Sequence, residues 1–241
     1  MTKIEWTNQT WNPITGCTKI SEGCRNCYAE GVARRLKAMG QHKYEHEFKL
    51  KLHPECLDEP EKWNKPSMIF VCSMSDLFHD DVPFSFIDRI FDTIRTTPHH
   101  TYQILTKRAA RMREYFETRQ IPDNVWVGVT VECKAVLDRI EILSDIDARI
   151  HFLSCEPLLE DLGPLNLEDI DWVIVGGESG NRARAMKEEW VLNILQQTRR
   201  QGIPFFFKQW GTWGADGLKR PKNKNGHELQ GETIQEWPEG I

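Results

Sequence analysis

Short apolar runs of strand length alternate with stretches of helical period along most of this chain, and that alternation constrains the fold more than any other feature. The strand candidates are residues 10–12, 68–73, 102–106, 125–131, 150–154, 172–175 and 204–208. Between several of them, apolar residues recur every three or four positions. Phe86, Ile87, Ile90, Phe91 and Ile94 make one stripe, and Met112, Tyr115 and Phe116 another. Val136, Leu137, Ile140 and Leu143 make a third, and Trp190, Val191, Ile194 and Leu195 a fourth. Residues 28–39 read as a further helix with Val32 and Leu36 on one side. A repeating β-α order predicts parallel strands, because parallel neighbours need a crossover connection. The expectation is an α/β chain folded as a full or partial (β/α) barrel of six or seven parallel strands. A length of 241 residues suits one such domain. The barrel is expected over residues 1–210, with a polar insertion at 40–66 that carries Pro54, Pro60 and Pro66. Residues 211–241 read as an irregular tail pinned by Trp213 and Trp237.

Composition narrows the setting. Seven cysteines, an odd count, fit a reducing cytoplasm better than a disulfide framework. The start of the chain lacks the basic residues and apolar block of a signal peptide, and no run approaches membrane-spanning length. The expectation is therefore a cytoplasmic protein with no membrane partner. A net charge of −5 argues against wholesale coating of nucleic acid but leaves room for a local basic face.

Three of the cysteines crowd together: Cys17, Cys24 and Cys27. Gly16, Gly23 and Asn26 place them on a loop, which keeps thiols accessible and lets backbone amides approach sulfur. Structural zinc and closed iron–sulfur clusters normally take four protein ligands. Three thiolates on a 4Fe–4S cluster leave one iron open to a small molecule. The rival reading is zinc, with a fourth ligand from Cys56, His42, His46 or His53. Cys56, Cys72, Cys133 and Cys155 read mainly as packing residues.

Chemistry in a parallel barrel gathers at the C-terminal ends of the strands. Here those ends carry Ser73, Ser75 and Asp76; Lys107 and Arg108; Thr130 and Glu132; Glu156; Gly176, Gly177 and Glu178; and Lys208 with Gln209. Barrel closure predicts that Lys107, Glu132, Glu156, Glu178 and Lys208 share one cavity. The stretch from Lys107 to Arg113 reads as a solvated basic face or as a contact for carboxylate or phosphate. Gly176-Gly177 reads as a tight turn or as a close backbone approach to a ligand. Trp210 and Trp213 read as packing residues, with base stacking as the alternative. His79, His99 and His100 show no metal-ligand spacing and receive no role.

With these residues in place, the chain resembles the phage- and prophage-associated three-cysteine-motif proteins, a family of unknown function similar to radical S-adenosylmethionine (SAM) enzymes. The matching stretches include Trp11-Asn-Pro-Ile-Thr-Gly-Cys17, Gly23-Cys-Arg-Asn-Cys-Tyr-Ala29, Ser73-Met-Ser-Asp-Leu-Phe78 and Leu105-Thr-Lys-Arg108. They continue with Gly128-Val-Thr-Val-Glu132, Ser154-Cys-Glu-Pro-Leu158, Val175-Gly-Gly-Glu-Ser-Gly180 and Phe207-Lys-Gln-Trp-Gly211. The cysteine spacing here is Cys-x6-Cys-x2-Cys, three residues longer in its first gap than the commonest radical SAM pattern. The resemblance implies a 4Fe–4S cluster on Cys17, Cys24 and Cys27, SAM on the open iron, and an electron donor that drives cleavage to a 5′-deoxyadenosyl radical. By position, Ser73, Ser75 and Asp76 would meet the SAM amino group. Thr130 and Glu132 would meet the ribose hydroxyls, and Gly176 and Gly177 the adenine. Glu156 and Lys208 would face substrate, with Lys107 and Glu178 beside them. Phage association implies modification or repair of a nucleic-acid base or nucleoside, and leaves room for a phage-encoded partner protein. The alternatives are a metal-holding binding protein without turnover, and radical modification of a peptide or protein.

Overall fold

The computed structural model describes residues 4–238. Eleven strands and six α-helices occur among them. In chain order these are β1 (Gln9–Trp11), β2 (Ile14–Thr15), α1 (Tyr28–Ala38), β3 (Lys51–Leu52), β4 (Met68–Val71), α2 (Phe84–Thr96), β5 (Thr101–Thr106), α3 (Ala109–Phe116) and β6 (Val125–Thr130). They continue with α4 (Asp138–Ser144), β7 (Ile150–Cys155), β8 (Trp172–Gly176), α5 (Glu188–Gln201), β9 (Phe205–Gln209), α6 (Lys222–Asn225), β10 (Glu228–Leu229) and β11 (Glu232–Thr233). Seven strands follow the order β1-β4-β5-β6-β7-β8-β9, the parallel α/β class expected from the alternation. All seven strand candidates are present, and their ends differ from the sequence-based limits by only one or two residues.

The chain divides into two compact units. The division falls inside β6, between Val127 and Gly128, rather than at a linker.

The first unit holds residues 4–20, 27–127 and 146–149. Its strands pair in parallel, Gln9 opposite Ile69 and Met68 opposite Thr101. The α2 stripe is buried as its period requires: Phe86, Ile87, Ile90, Phe91 and Ile94 are all at or below 6% exposure. Burying five such side chains contributes roughly 1.5–3 kcal/mol each before entropy is subtracted. The insertion at 40–66 is polar but anchored. Within it β3 pairs antiparallel with β2, and the Trp11 indole N–H donates to the Cys56 carbonyl at 2.7 Å.

The second unit holds residues 21–26, 128–145 and 150–238. β8 is buried along its whole length, as expected of a strand covered on both faces. Gly128 is required there, since a Cβ would lie 2.6 Å from the Phe152 ring. Helix α5 ends at Gly202, whose φ of +68° suits a left-handed C-terminal cap. The segment after residue 210 returns to the sheet. Phe207 donates its amide to Ile234 at 2.7 Å, and Trp237 stacks on Trp172 at 5.0 Å. Trp213 donates its indole N–H to the Ala183 carbonyl at 2.7 Å. Among the described residues no helix is long and apolar enough to cross a membrane.

Candidate functional site

In the first unit, the loop after β4 is turned by Cys72, whose φ of +60° is uncommon for a residue with a side chain. The turn presents Ser73 and Ser75 half-exposed and Asp76 buried. Asp76 is fully engaged. One carboxylate oxygen accepts from the Phe78 amide at 3.0 Å and the Thr106 hydroxyl at 2.6 Å. The other accepts from the Lys107 amide and the Arg108 guanidinium, both at 3.2 Å. Four donors fill the acceptor capacity of a carboxylate, so here Asp76 serves as an anchor.

What Asp76 anchors is Arg108, and through it the start of the cysteine loop. Arg108 donates to Cys17 Sγ at 3.7 Å and to the Thr18 hydroxyl at 2.8 Å. His79 Nε2 lies 2.9 Å from that hydroxyl, while its Nδ1 accepts the Asp81 amide. A ring that accepts at Nδ1 carries its proton on Nε2 and donates to Thr18. Burial, aided by the Arg108 charge, lowers the His79 pKa and keeps the ring neutral. The backbone around Cys17 is pinned too. Gly16 donates to Met74 at 3.0 Å and Cys17 to Phe48 at 3.2 Å. Gly16 has φ +79°, and a Cβ there would sit 2.1 Å from the Lys49 carbonyl. Cys27 opens α1 and packs on a cluster of Ala29, Ala33, Tyr44 and Met74.

In the second unit, residues 21–26 are fastened by two carboxylates from strand ends. Glu132 is wholly buried. It accepts the Ser21 hydroxyl and the Gly23 amide on one oxygen, and Arg139 on the other at 3.0 Å. Arg139 also donates to the Thr130 carbonyl at 2.7 Å. Glu178 accepts Arg184 on both oxygens, at 2.6 and 3.0 Å, and the Asn26 amide at 3.1 Å. Burial works to raise the Glu178 pKa, but the Arg184 and Asn26 hydrogen bonds outweigh it and leave it lowered. Arg184 reaches on to the Glu22 carboxylate at 3.2 Å and its carbonyl at 3.0 Å. Cys24 ends the turn Glu22–Cys24, with its sulfur 3.7 Å from the Ser21 hydroxyl.

The remaining expected rim residues form a third arrangement. Lys208 and Glu156 pair at 2.8 Å, each less than a fifth exposed, and Ser154 donates to Glu156 at 3.1 Å. A Cβ on Gly176 would press on the Glu156 carboxylate at 2.6 Å. At Gly177 the close approach is made by this chain itself: the Trp210 carbonyl would lie 1.9 Å from a Cβ. Within the second unit, Glu132, Glu156 and Glu178 thus each have their own basic partner. Lys107 lies in the first unit, half-buried.

Two sequence readings are corrected. The stretch from Lys107 to Arg113 is not an open basic face, because Arg108 is buried and Arg111 lies 4.4 Å over the Phe84 ring while donating to the Val82 carbonyl. Trp210 is 2% exposed and donates to the Glu228 carbonyl, so it has no free ring face for a base. Residues that sequence reasoning missed are His79, Ser21 and Arg139, together with the loop-holding roles of Arg108 and Arg184. Their only sequence signal is position, Arg139 seven residues beyond Glu132 and Arg184 six beyond Glu178.

The seven thiols sort into two groups. Cys17, Cys24 and Cys27 are half-buried; Cys56, Cys72, Cys133 and Cys155 are buried. Burial raises the pKa of all four in the second group, which keeps them protonated and poor ligands. His53 is also committed, with one ring nitrogen 2.8 Å from Thr15 and the other 3.2 Å from Glu55. Among the described residues no group of three or more His, Cys, Asp or Glu side chains is gathered as a metal site. The donor chemistry of the loop nonetheless fits an iron–sulfur cluster: three accessible thiols, one of them within hydrogen-bond reach of the Arg108 guanidinium.

A family model for proteins of unknown function matches residues 1–238. The chain belongs to that family, DUF5131. No match is found among curated proteins. Among solved structures, the chain is similar to a spore photoproduct lyase variant with bound AdoMet and dinucleoside spore photoproduct, with TM-score 0.45 and 12% identity over 79% of this chain. It is also similar to a spore photoproduct lyase complexed with dinucleoside spore photoproduct, with TM-score 0.40 and 10% identity over 78% of this chain. The chain spans 61% and 59% of those two structures.

Proposed function

We propose that this protein is a radical SAM-type enzyme that carries a 4Fe–4S cluster on Cys17, Cys24 and Cys27. One observation carries the reading: of seven cysteines, only the three in this loop are accessible, and the loop around them is fastened by hydrogen bonds to the charged side chains of Arg108, Glu132 and Glu178. When bound there, the cluster would accept SAM and supply the electron for its reductive cleavage. The protein's part is to hold, orient and shield. Ser73 and Ser75, half-exposed beside an anchored Asp76, are the proposed contacts for the SAM amino group. Glu156 and Lys208, paired and partly exposed, are the proposed substrate-side residues. Glu132 and Glu178 hold the loop rather than the substrate.

The proposed substrate is a nucleic-acid base or nucleoside. A phage setting, as the three-cysteine resemblance implies, makes nucleic-acid modification or repair the natural role, with an electron donor as the required partner. The test is incubation of the reduced, reconstituted protein with SAM. Formation of 5′-deoxyadenosine is expected. An intact cluster that binds SAM and yields none would instead favour a binding protein without turnover.

A further inference from the structure

We infer that two acid-free basic stretches, residues 179–187 and 217–227, form one ridge that holds a nucleic-acid backbone beside the segment carrying Cys24. The inference rests on the nucleic-acid reading proposed above and names the surface that would serve it. In a chain of net charge −5, these stretches carry seven Lys and Arg and no Asp or Glu, with Glu178, Glu188, Asp216 and Glu228 at their borders. Such asymmetry is the electrostatic footprint of a polyanion partner.

The fold brings the two stretches together. The Lys219 ammonium donates to the Asn181 carbonyl at 2.7 Å. The Thr212 hydroxyl accepts the Gly180 amide at 2.8 Å, and the Trp213 indole donates to Ala183 at 2.7 Å. Arg184 pairs with Glu178 and Glu22, and Arg220 with Asp216. Arg182, Lys187, Lys219, Lys222 and Lys224 are exposed. Lys187 has a 3.4 Å contact with Glu189, an exposed pair of little energetic weight. The ridge abuts the cysteine loop, since the Asn26 amide donates to the Arg182 carbonyl at 2.9 Å. A strand lying along the ridge would therefore pass residues 21–26. An anionic membrane is the poorer fit: Leu218 is the one large apolar residue exposed in these stretches, and surface binding needs an apolar face as well as charge.

The experiment is fluorescence anisotropy of a labelled 20-nucleotide single strand and of the matching duplex, across a salt series, with the full chain. Two variants neutralise the ridge: K219Q/K222Q/K224Q, and R182Q/K222Q/K224Q, which leaves the Lys219 staple in place. A control, R35Q/K49Q/K65Q, removes as much charge from exposed positions elsewhere. Wild type is expected to bind with a log-linear salt dependence. Both ridge variants should weaken binding at least tenfold at about 0.1 M salt and flatten the slope by roughly two to three, and the control should do neither. Ridge variants that bind like wild type would overturn the ridge while leaving a nucleic-acid substrate standing. Wild type that binds neither strand nor duplex at low salt, or that prefers phosphatidylserine vesicles, would overturn ridge and nucleic-acid reading together. Production of 5′-deoxyadenosine would then still report separately on the radical chemistry.

Discussion

The sharpest consequence of the loop-holding contacts concerns Glu132. Glu132→Gln keeps the size and one acceptor but removes the charge that offsets Arg139. Arg139 is 7% exposed and Glu132 is 0% exposed, so solvent cannot replace the lost partner. Breaking a buried ion pair from one side costs about 3–5 kcal/mol. The retained amide oxygen can still accept from Ser21 or Gly23, and Arg139 keeps its bond to the Thr130 carbonyl, so the lower end applies, about 3 kcal/mol. For a domain of this length, 1 kcal/mol moves Tm by roughly 2–4 °C, which gives a fall of about 6–12 °C by thermal unfolding. The double variant Glu132→Gln, Arg139→Met removes both charges and should recover at least half of the loss, because the unpaired buried cation is gone. A single variant within about 2 °C of wild type, or a double variant no better than the single, would refute the pairing argument.

Other outcomes follow from the same contacts. Gly177→Ala should destabilise by at least about 1–3 kcal/mol, because a backbone carbonyl occupies the Cβ position; unchanged unfolding would mean that the turn near Trp210 is loose. Glu156→Gln should leave iron content unchanged while lowering product turnover, and loss of cluster would assign Glu156 to structure instead. Glu178 titrates low, so its contribution is complete above the ordinary carboxylate value of about 4.3 and fades as pH falls through its lowered value; Glu178→Gln should therefore lower Tm at pH 7 and make no difference near pH 3. His53 and His100 are held neutral, chiefly by burial, so their contribution is complete above about pH 6.5 and is lost as pH falls through their lowered values. Thermal unfolding of His53→Gln should be less sensitive to acid between about pH 6.5 and 5 than wild type, and an equal or steeper acid response would count against a neutral buried ring.

Strands and helices were legible because burial imposes a period on the chain. β8 reads as an unbroken apolar run, and the α2 stripe recurs with the helical repeat. The polar strand ends were legible for the same reason, since each follows an apolar run. What those ends touch was not. Glu132 and Glu178 looked like groups waiting for a ligand, yet each holds a piece of the cysteine loop more than 100 residues away in sequence. Spacing carries no signal for such pairings, which depend on where a loop returns. Gly177 shows the same limit, because the carbonyl that forbids a side chain there belongs to Trp210. The basic stretch from Lys107 misled in the other direction. Charge predicts exposure on average, but Arg108 is buried because Asp76 is buried beside it.

Cys17, Cys24 and Cys27 are proposed to carry an iron–sulfur cluster. Anaerobic reconstitution followed by iron, sulfide and zinc analysis tests it most directly, with the triple Cys17→Ala, Cys24→Ala, Cys27→Ala variant beside wild type. About four irons and four acid-labile sulfides per chain are expected, absent from the triple variant. One zinc per chain with no labile sulfide would contradict it, and so would iron and sulfide that survive in the triple variant.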